Sequence, residues 1–286
     1  MDVHTVGVIG AGEIGVGVVQ NLAQTGHDVV LVDVSEQRLE RSKAALKSNI
    51  RFQGFFKKSA ATTGLTETLS RINFTTTLES IQAAYFVIES VTETWEIKRD
   101  LFKTIDDICP AATIFASNTS AIPITRLASC TKRPAQFLGM HFMNPVPLKP
   151  TVEVIRGHHT SEETLQRAQE LLTRMGKDYI LVGDSPGFVS NRVLMLAVNE
   201  AIFLIHERVA SVEDVDRIFV NCLGHKMGPL ATADLIGLDT VLLSLDVLYD
   251  NFHDNKFRAC PLLRSIVDAG HLGRKSGQGF YTYKLD

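Results

Sequence analysis

His141 closes a short apolar run, Gln136-Phe137-Leu138-Gly139-Met140, and Glu153 is the lone acid of the next strand-like run, Val152-Glu153-Val154-Ile155. An imidazole at the carboxyl end of a strand, with a carboxylate able to fold back beside it, is an arrangement that moves one proton near neutral pH. A lone histidine is more often a hydrogen-bonded structural residue than a catalyst. Position favours catalysis here, because ligands of open α/β sheets bind beyond the carboxyl ends of the strands. Glu153 taken singly would be a solvated strand residue, but apolar neighbours on both sides point to burial, and a buried carboxylate needs a partner.

The second constellation is Gly10-Ala11-Gly12-Glu13-Ile14-Gly15, which follows a strand-like run, opens a helix and precedes an acid, Asp33, within the next apolar run. The glycine spacing alone is a weak signal, and this context makes it a dinucleotide fingerprint. Gly10 permits the turn, Gly12 leaves room for a pyrophosphate against the backbone, Gly15 lets helix and strand pack closely, and the helix start supplies amide donors. Asp33 would accept hydrogen bonds from the adenosine ribose hydroxyls and repel a 2′-phosphate, so NAD is expected over NADP. Combined with His141, this predicts a hydride leaving one carbon while the hydroxyl proton of that carbon passes to the imidazole.

Other polar clusters are less specific. Ser117-Asn118-Thr119-Ser120-Ala121 follows a strand-like run and either caps the next helix or donates to a substrate oxygen, with capping favoured on residue type. Asn191, in Gly187-Phe188-Val189-Ser190-Asn191-Arg192, reads as a helix cap on composition. Between Arg38 and Lys58 stand Arg38, Arg41, Lys43, Lys47, Arg51, Lys57 and Lys58 against one acid, Glu40. The plain reading is a solvated face. The sharper one is an electrostatic landing site for a phosphorylated handle such as coenzyme A, or for an acidic carrier protein.

These side chains need a scaffold, and the apolar runs supply one. Strands are expected over 4–9, 28–34, 85–89, 113–117, 136–140, 152–155 and 178–182, alternating with helical stretches in the pattern of a parallel sheet covered on both faces. A helix over 162–175 has Ser161 to cap it, acids in its first turn, Arg174 in its last and Gly176 to close it. The alternation stops at Asp184-Ser185-Pro186-Gly187, dividing the chain into an α/β domain, 1–184, and an all-α domain, 185–286. Val189, Val193, Ala197, Ala201 and Ile205 recur on a helix apolar nearly all round, which should therefore be buried, with a second subunit as one candidate cover. Ser211-Val212-Glu213-Asp214 resembles a capping box.

Composition narrows the classes. The chain has 286 residues, 45% of them apolar, and 29 basic against 32 acidic residues, a net charge of -3 that argues against nucleic acid as a partner. Cys109, Cys130, Cys222 and Cys260 are too scattered for a disulfide framework or a zinc site, which favours a reducing cytoplasm, and no metal is expected. No segment reads as a signal peptide, and Asn199 and Glu200 interrupt the most apolar stretch, so a membrane span is not expected.

The chain resembles the 3-hydroxyacyl-CoA dehydrogenase family, and particularly the short 3-hydroxybutyryl-CoA dehydrogenases of bacteria, nearly end to end. Besides the glycine fingerprint, the residues that carry the likeness are Ala116-Ser117-Asn118-Thr119-Ser120, His141-Phe142-Met143-Asn144-Pro145-Val146-Pro147, Val152-Glu153-Val154-Ile155, Pro186-Gly187-Phe188-Val189-Ser190-Asn191-Arg192, Met227-Gly228-Pro229 and Gly273-Arg274-Lys275-Ser276-Gly277-Gln278-Gly279-Phe280-Tyr281. The resemblance implies a Rossmann domain, a helical domain that dimerises, and a thioester substrate between them. It implies His141 as the catalytic base with Glu153 as its partner, Ser120 and Asn191 as substrate ligands, and Glu93, Lys98 and Asn144 near the cofactor. Met143, Lys149-Pro150-Thr151 and Ala231 depart from the family pattern, as does the segment 49–64. Thr92-Glu93-Thr94-Trp95-Glu96-Ile97-Lys98 and His141-Phe142-Met143-Asn144-Pro145 resemble the branch that oxidises a glyceryl group on an acyl carrier protein for polyketide synthesis. Two further readings stay open: a non-catalytic NAD-binding protein, as lens crystallins of this likeness are, and a dehydrogenase of free hydroxy acids.

Overall fold

Apolar runs too short for helices become the strands of one sheet in the computed structural model, which describes residues 5–56 and 64–284. The strands are β1 (Thr5–Ile9), β2 (Asp28–Val32), β3 (Ile72–Thr75), β4 (Phe86–Glu89), β5 (Ile114–Ser117), β6 (Phe137–His141), β7 (Thr151–Arg156) and β8 (Asp178–Gly183). They run in the order β3-β2-β1-β4-β5-β6-β7-β8. The chain divides into two units, Met1–Asp184 with the sheet and Ser185–Asp286 with helices. Of the sequence-based expectations, His4 of the first strand and Lys57 and Lys58 of the basic run lie outside the described residues.

All neighbouring strands are parallel except β6 and β7, which are antiparallel. The sheet is thus mostly parallel, as expected for the first domain, with one reversal. The segment 142–150 is too short for a parallel crossover, which needs roughly a dozen residues, so the chain turns straight back. Strand β3 has no counterpart among the expected strands, although Ile72 and Phe74 alternate with polar residues across it.

Helices α1 (Glu13–Gln24), α2 (Glu36–Phe56), α3 (Leu65–Ser70), α4 (Trp95–Ile108), α5 (Ile124–Ala128) and α6 (Glu162–Arg174) complete the first unit. The period of two in the strands sorts the core onto two faces. On one, Ile114, Ala116, Leu138 and Met140 pack with Val18 and Leu22 of α1 and Leu171 and Leu172 of α6. On the other, Phe115 and Phe137 meet Phe102 of α4 edge to face or tilted, with Phe102 and Phe137 centroids 4.7 Å apart. His141 shares this second face. Gly139, two residues earlier, lets α5 come close: a Cβ there would lie 2.8 Å from Ile124 Cδ1 and 2.9 Å from Ile155 Cβ. Helix α6 is capped as its sequence predicts, the Ser161 hydroxyl accepting from the Thr164 amide at 3.2 Å.

The second unit holds α7 (Ser190–His206), α8 (Val212–Asn221), α9 (Pro229–Ile236), α10 (Leu238–Phe252) and α11 (Pro261–Asp268). Met195, Val198, Ala201 and Ile202 of α7 form its buried face, while Val189 and Val193 of the expected apolar stripe are exposed in this chain. A helix apolar all round buries the side its own unit covers and leaves the rest. Two carboxylates account for the glycine-rich motifs of this unit. Asp216 accepts from the Leu230 and Ala231 amides at the start of α9 and from the Tyr281 hydroxyl. Asp234 accepts from the Phe280 and Tyr281 amides and the Tyr283 hydroxyl. A Cβ on Gly228 would fall 2.2 Å from Asp216 Cγ, and one on Gly279 2.0 Å from Asp234 Oδ1, so both glycines exist for close approach. Burial and the Asp216 carboxylate push the Tyr281 phenol above its ordinary range. No helix among the described residues is long and apolar enough to cross a membrane.

Candidate active site

The turn between β1 and α1 is shaped by what glycine alone allows. Gly10 has φ of 106°, and a Cβ there would sit 2.5 Å from the Ser90 carbonyl oxygen. A Cβ on Gly15 would sit 2.0 Å from the Gly10 carbonyl oxygen, whereas one on Gly12 meets nothing within 4 Å. Gly10 and Gly15 therefore close the turn, and Gly12 keeps its outer side open. Asp33 is buried beside it, accepting from the Ala11 amide at 2.9 Å and the Ser35 amide at 3.0 Å. The Ser90 hydroxyl, next to Gly15, is buried without a hydrogen-bond partner. An open glycine edge at a helix start, a carboxylate held against that edge and an unsatisfied hydroxyl beside it fit a dinucleotide. Asn144 reaches the same region, donating to Glu13 Oε1 in the first turn of α1 at 2.6 Å.

The antiparallel turn brings an imidazole and a carboxylate together. His141, the last residue of β6, lies directly opposite Glu153 of β7. Opposed residues of an antiparallel pair project from the same face. His141 Nδ1 is 3.0 Å from Glu153 Oε2, with the two side chains only 6% and 10% exposed. A carboxylate accepts and does not donate, so in the neutral ring Nδ1 carries the hydrogen and Nε2 presents its lone pair. That lone pair faces the Ser120 hydroxyl at 3.2 Å. An imidazole with one nitrogen locked and the other aimed at a hydroxyl can take a proton from an oxygen and return it.

The segment carrying Ser120 is not a helix cap, contrary to the expectation from residue type. The cap of α5 is Pro123, and its first amides are taken by the Asp184 carboxylate, Ile124 N at 2.9 Å and Thr125 N at 2.7 Å. Residues 117–121 are instead held by two acids. Glu93 Oε1 accepts from the Thr119 hydroxyl, the Ser120 amide at 2.9 Å and the Ala121 amide at 3.0 Å. Asn118 Oδ1 accepts from the Phe142 amide at 2.7 Å, tying the segment to the residue after His141. Glu89, the buried last residue of β4, accepts from Ser117 Oγ at 2.5 Å, Lys98 Nζ at 2.5 Å and the Val91 amide at 2.7 Å. Lys98 also lies 3.4 Å from Glu93 Oε2.

Burial works against the charge of both Glu93 and Lys98, and their neighbours win. Lys98, the Thr119 hydroxyl and two amides hold Glu93 below the usual carboxylate range, while Glu89 and Glu93 hold Lys98 above the usual amine range. Sequence reasoning passed over Glu89 and Lys177. Glu89 ends an apolar strand, just as Glu153 is flanked by apolar residues, and that pattern was the available signal. Lys177 donates to the Val146 and Lys149 carbonyls at 2.7 Å each, bracing the loop after His141. Asn191 is the second residue of α7, whose cap is Val189, so it is not the cap that composition predicts. No cluster of potential metal ligands occurs among the described residues.

Known proteins match this chain over nearly its whole length. The family model for the 3-hydroxyacyl-CoA dehydrogenase NAD binding domain matches residues 5–185, and that for the C-terminal domain matches 187–283. A probable 3-hydroxybutyryl-CoA dehydrogenase of Deinococcus radiodurans is 49% identical over 97% of this chain and 99% of its own. Its counterpart in Bacillus subtilis is 46% identical over 99% of both chains. The crystal structure of (S)-3-hydroxybutyryl-CoA dehydrogenase from Ralstonia eutropha superposes with a TM-score of 0.90 at 42% identity, covering 99% of this chain and 100% of that one. With both family domains present in order and relatives matched from end to end, the chain belongs to the 3-hydroxyacyl-CoA dehydrogenase family.

Proposed function

We propose that this protein interconverts a 3-hydroxyacyl-CoA and its 3-keto form with NAD, and that His141 is the general base and acid. The observation that carries the reading is His141 held between Glu153 on one ring nitrogen and a hydroxyl on the other. NAD would be held by the Gly10–Gly15 turn and Asp33 and would supply the acceptor for the C3 hydride in oxidation, its reduced form the donor in reduction. His141 Nε2 accepts the proton of the 3-hydroxyl and, in reverse, gives it back. Glu153 keeps Nδ1 protonated and stabilises the imidazolium, without being protonated itself. Ser120 and Asn191 position the reacting oxygen. Proton transfer of this kind contributes about a hundredfold to ten-thousandfold, and alignment of the reactants supplies much of the rest.

Coenzyme A is the handle this reading favours. Arg38, Arg41, Lys47 and Arg51 stand exposed on α2, offering cations to phosphates. The relatives reported above are named as 3-hydroxybutyryl-CoA dehydrogenases or probable ones, and none of them supports the glyceryl carrier-protein branch. An intact His141, Glu153 and Ser120 set argues against a purely binding role. The reading extends to a homodimer, since the helical unit leaves Val209, Ile218, Leu223 and Leu235 exposed, and to the cytoplasm, since all four cysteines are free thiols. The deciding experiment follows NADH formation with 3-hydroxybutyryl-CoA and with a glyceryl-loaded carrier protein in parallel. Turnover of the coenzyme A ester alone is expected; turnover of the carrier-bound group alone would overturn the assignment.

A further inference from the structure

We propose that Lys177 is a positioning residue for the cofactor site, holding Asn144 at the start of α1 without touching NAD itself. The inference rests on the reading above, in which NAD lies against the Gly10–Gly15 turn and Asn144 lies near it. Residues 142–150 connect β6 to β7 and include Pro145, Pro147 and Pro150, none of which has an amide hydrogen. Such a segment is short of donors for its carbonyls, which must be met from elsewhere in the fold. The amides of Leu148 and Lys149 both turn to the Pro145 carbonyl, at 3.0 and 3.2 Å. Lys177 Nζ donates to the Val146 and Lys149 carbonyls at 2.7 Å each, and the Asp178 amide donates to that of Pro150 at 2.8 Å. A buried ammonium suits this task, because its tetrahedral donors on a long stem reach two carbonyls where one amide reaches one.

The braced segment lies along one face of α1. Asn144 Nδ2 donates to Glu13 Oε1 at 2.6 Å, Val146 packs on Gly17, and Asn21 Nδ2 donates to the Met175 carbonyl, just before Lys177, at 3.2 Å. Glu13, Gly17 and Asn21 follow one another at helical i, i+4 spacing, which places them on one stripe. Glycine at 17 is what admits the segment, since a Cβ there would fall 2.9 Å from both Cβ and Cγ2 of Val146. Lys177 is itself fixed, its amide donating to the Leu172 carbonyl in the last turn of α6 at 2.9 Å. The stripe thus runs from the turn after α6, through the contacts of Val146 and Asn144, to the first turn of α1 beside the dinucleotide turn. Without the ammonium, the Val146 and Lys149 carbonyls lose their donor and the segment loses its hold on Asn144. His141, bonded to Glu153 within the sheet, keeps its place.

A merely structural brace would lower stability and leave cofactor affinity per folded molecule alone. The test is a double-mutant cycle read by NADH titration, melting temperature and steady-state kinetics with 3-hydroxybutyryl-CoA. Lys177→Met keeps the apolar stem and removes the donors, and it is made in the parent enzyme and in Asn144→Ala. In the parent it should weaken NADH binding about five- to tenfold, the scale of one net hydrogen bond, and raise KM for NAD by more than it lowers kcat. In Asn144→Ala the same change should cost less than about twofold in affinity, although the melting temperature falls equally in both backgrounds. Equal affinity losses in the two backgrounds, or an undiminished affinity in the parent, would overturn the proposal. Should Lys177→Met fail to fold, Lys177→Arg keeps the charge but puts a planar fork where a tetrahedral head stood. That variant must show a severalfold affinity loss that vanishes in Asn144→Ala, and any other pattern overturns the idea. Because the cycle reads binding, it is separate from turnover of the coenzyme A ester, which tests the functional reading; a parent that binds no NADH refutes both.

Discussion

Helix α4 carries a buried ion cluster at each end, and the two serve different purposes. At its start Lys98 joins Glu89, the last residue of β4, and Glu93 of the connection that follows it. At its end Arg133 meets Asp106 at 2.5 Å and donates to the Asp106, Cys109 and Pro110 carbonyls, while its guanidinium lies 4.7 Å from the Phe115 ring. The Arg133 cluster balances one charge against one and spends its remaining donors on the open carbonyls of a helix terminus. At the Lys98 end two acids meet one ammonium, and one of them, Glu93, also accepts from the amides of an irregular segment. A closed pair makes architecture; an open one can place a functional group.

The comparison is sharpened first at the residue both clusters are measured against. His141→Gln should lower kcat by about 10²- to 10⁴-fold and leave NADH affinity unchanged, as read by steady-state kinetics and NADH titration. Next, Lys98→Met and Arg133→Met each leave buried carboxylate charge unpaired, which typically costs about 3–5 kcal/mol in denaturant unfolding. They should part in kinetics: kcat per folded molecule collapses for Lys98→Met and stays within about twofold of the parent for Arg133→Met. An equal loss in both would erase the distinction between the two ends. A smaller effect is expected outside both clusters, where Asp33→Ala should weaken NAD binding by roughly ten- to a hundredfold, the scale of hydrogen bonds to a charged group; unchanged affinity by titration would count against the ribose assignment.

The smallest effect is on acid stability. Glu93 has its pKa depressed in the fold, so its ionisation contributes stability that is complete above the ordinary carboxylate value, about 4.3, and lost as pH falls through the lower folded value. Lys98 has its pKa raised, so its share is complete below the ordinary amine value, about 10.4, and lost only as pH rises through the higher folded one. Between these limits neither group should make the melting temperature slope. Melting curves from pH 3 to 7 should show a shallower acid limb in Glu93→Gln than in the parent, and superimposable limbs would remove Glu93 as a source of acid sensitivity.

Much of the site was visible in residue order because its signals are local. The glycine turn and the caps at Ser161 and Ser211 depend on neighbours a few positions away, and the structure places both serines beside the amides expected of them and Gly10 in a turn. Glu89 escaped notice because an acid ending an apolar strand looks alike whether it meets water or a lysine on the following helix. Ser117–Ser120 was misread for a related reason: the amides nearest in sequence are not the ones these residues serve, and α5 draws its cap from Asp184, across the fold. The apolar stripe of α7 showed that burial was needed on several sides but not which side its own unit would cover.

Sequence alone determined the alternating elements, the dinucleotide turn and the residue types able to carry a proton, since periodicity and side-chain chemistry are properties of the chain. Tertiary structure decided that His141 faces Glu153, because a reversal between β6 and β7 sets the register that aligns them. It likewise decided that Glu93 serves the Ser120 amide, because that contact joins residues from separate strand-to-helix connections. Such pairings depend on how strands and helices assemble in space, and no local spacing encodes them.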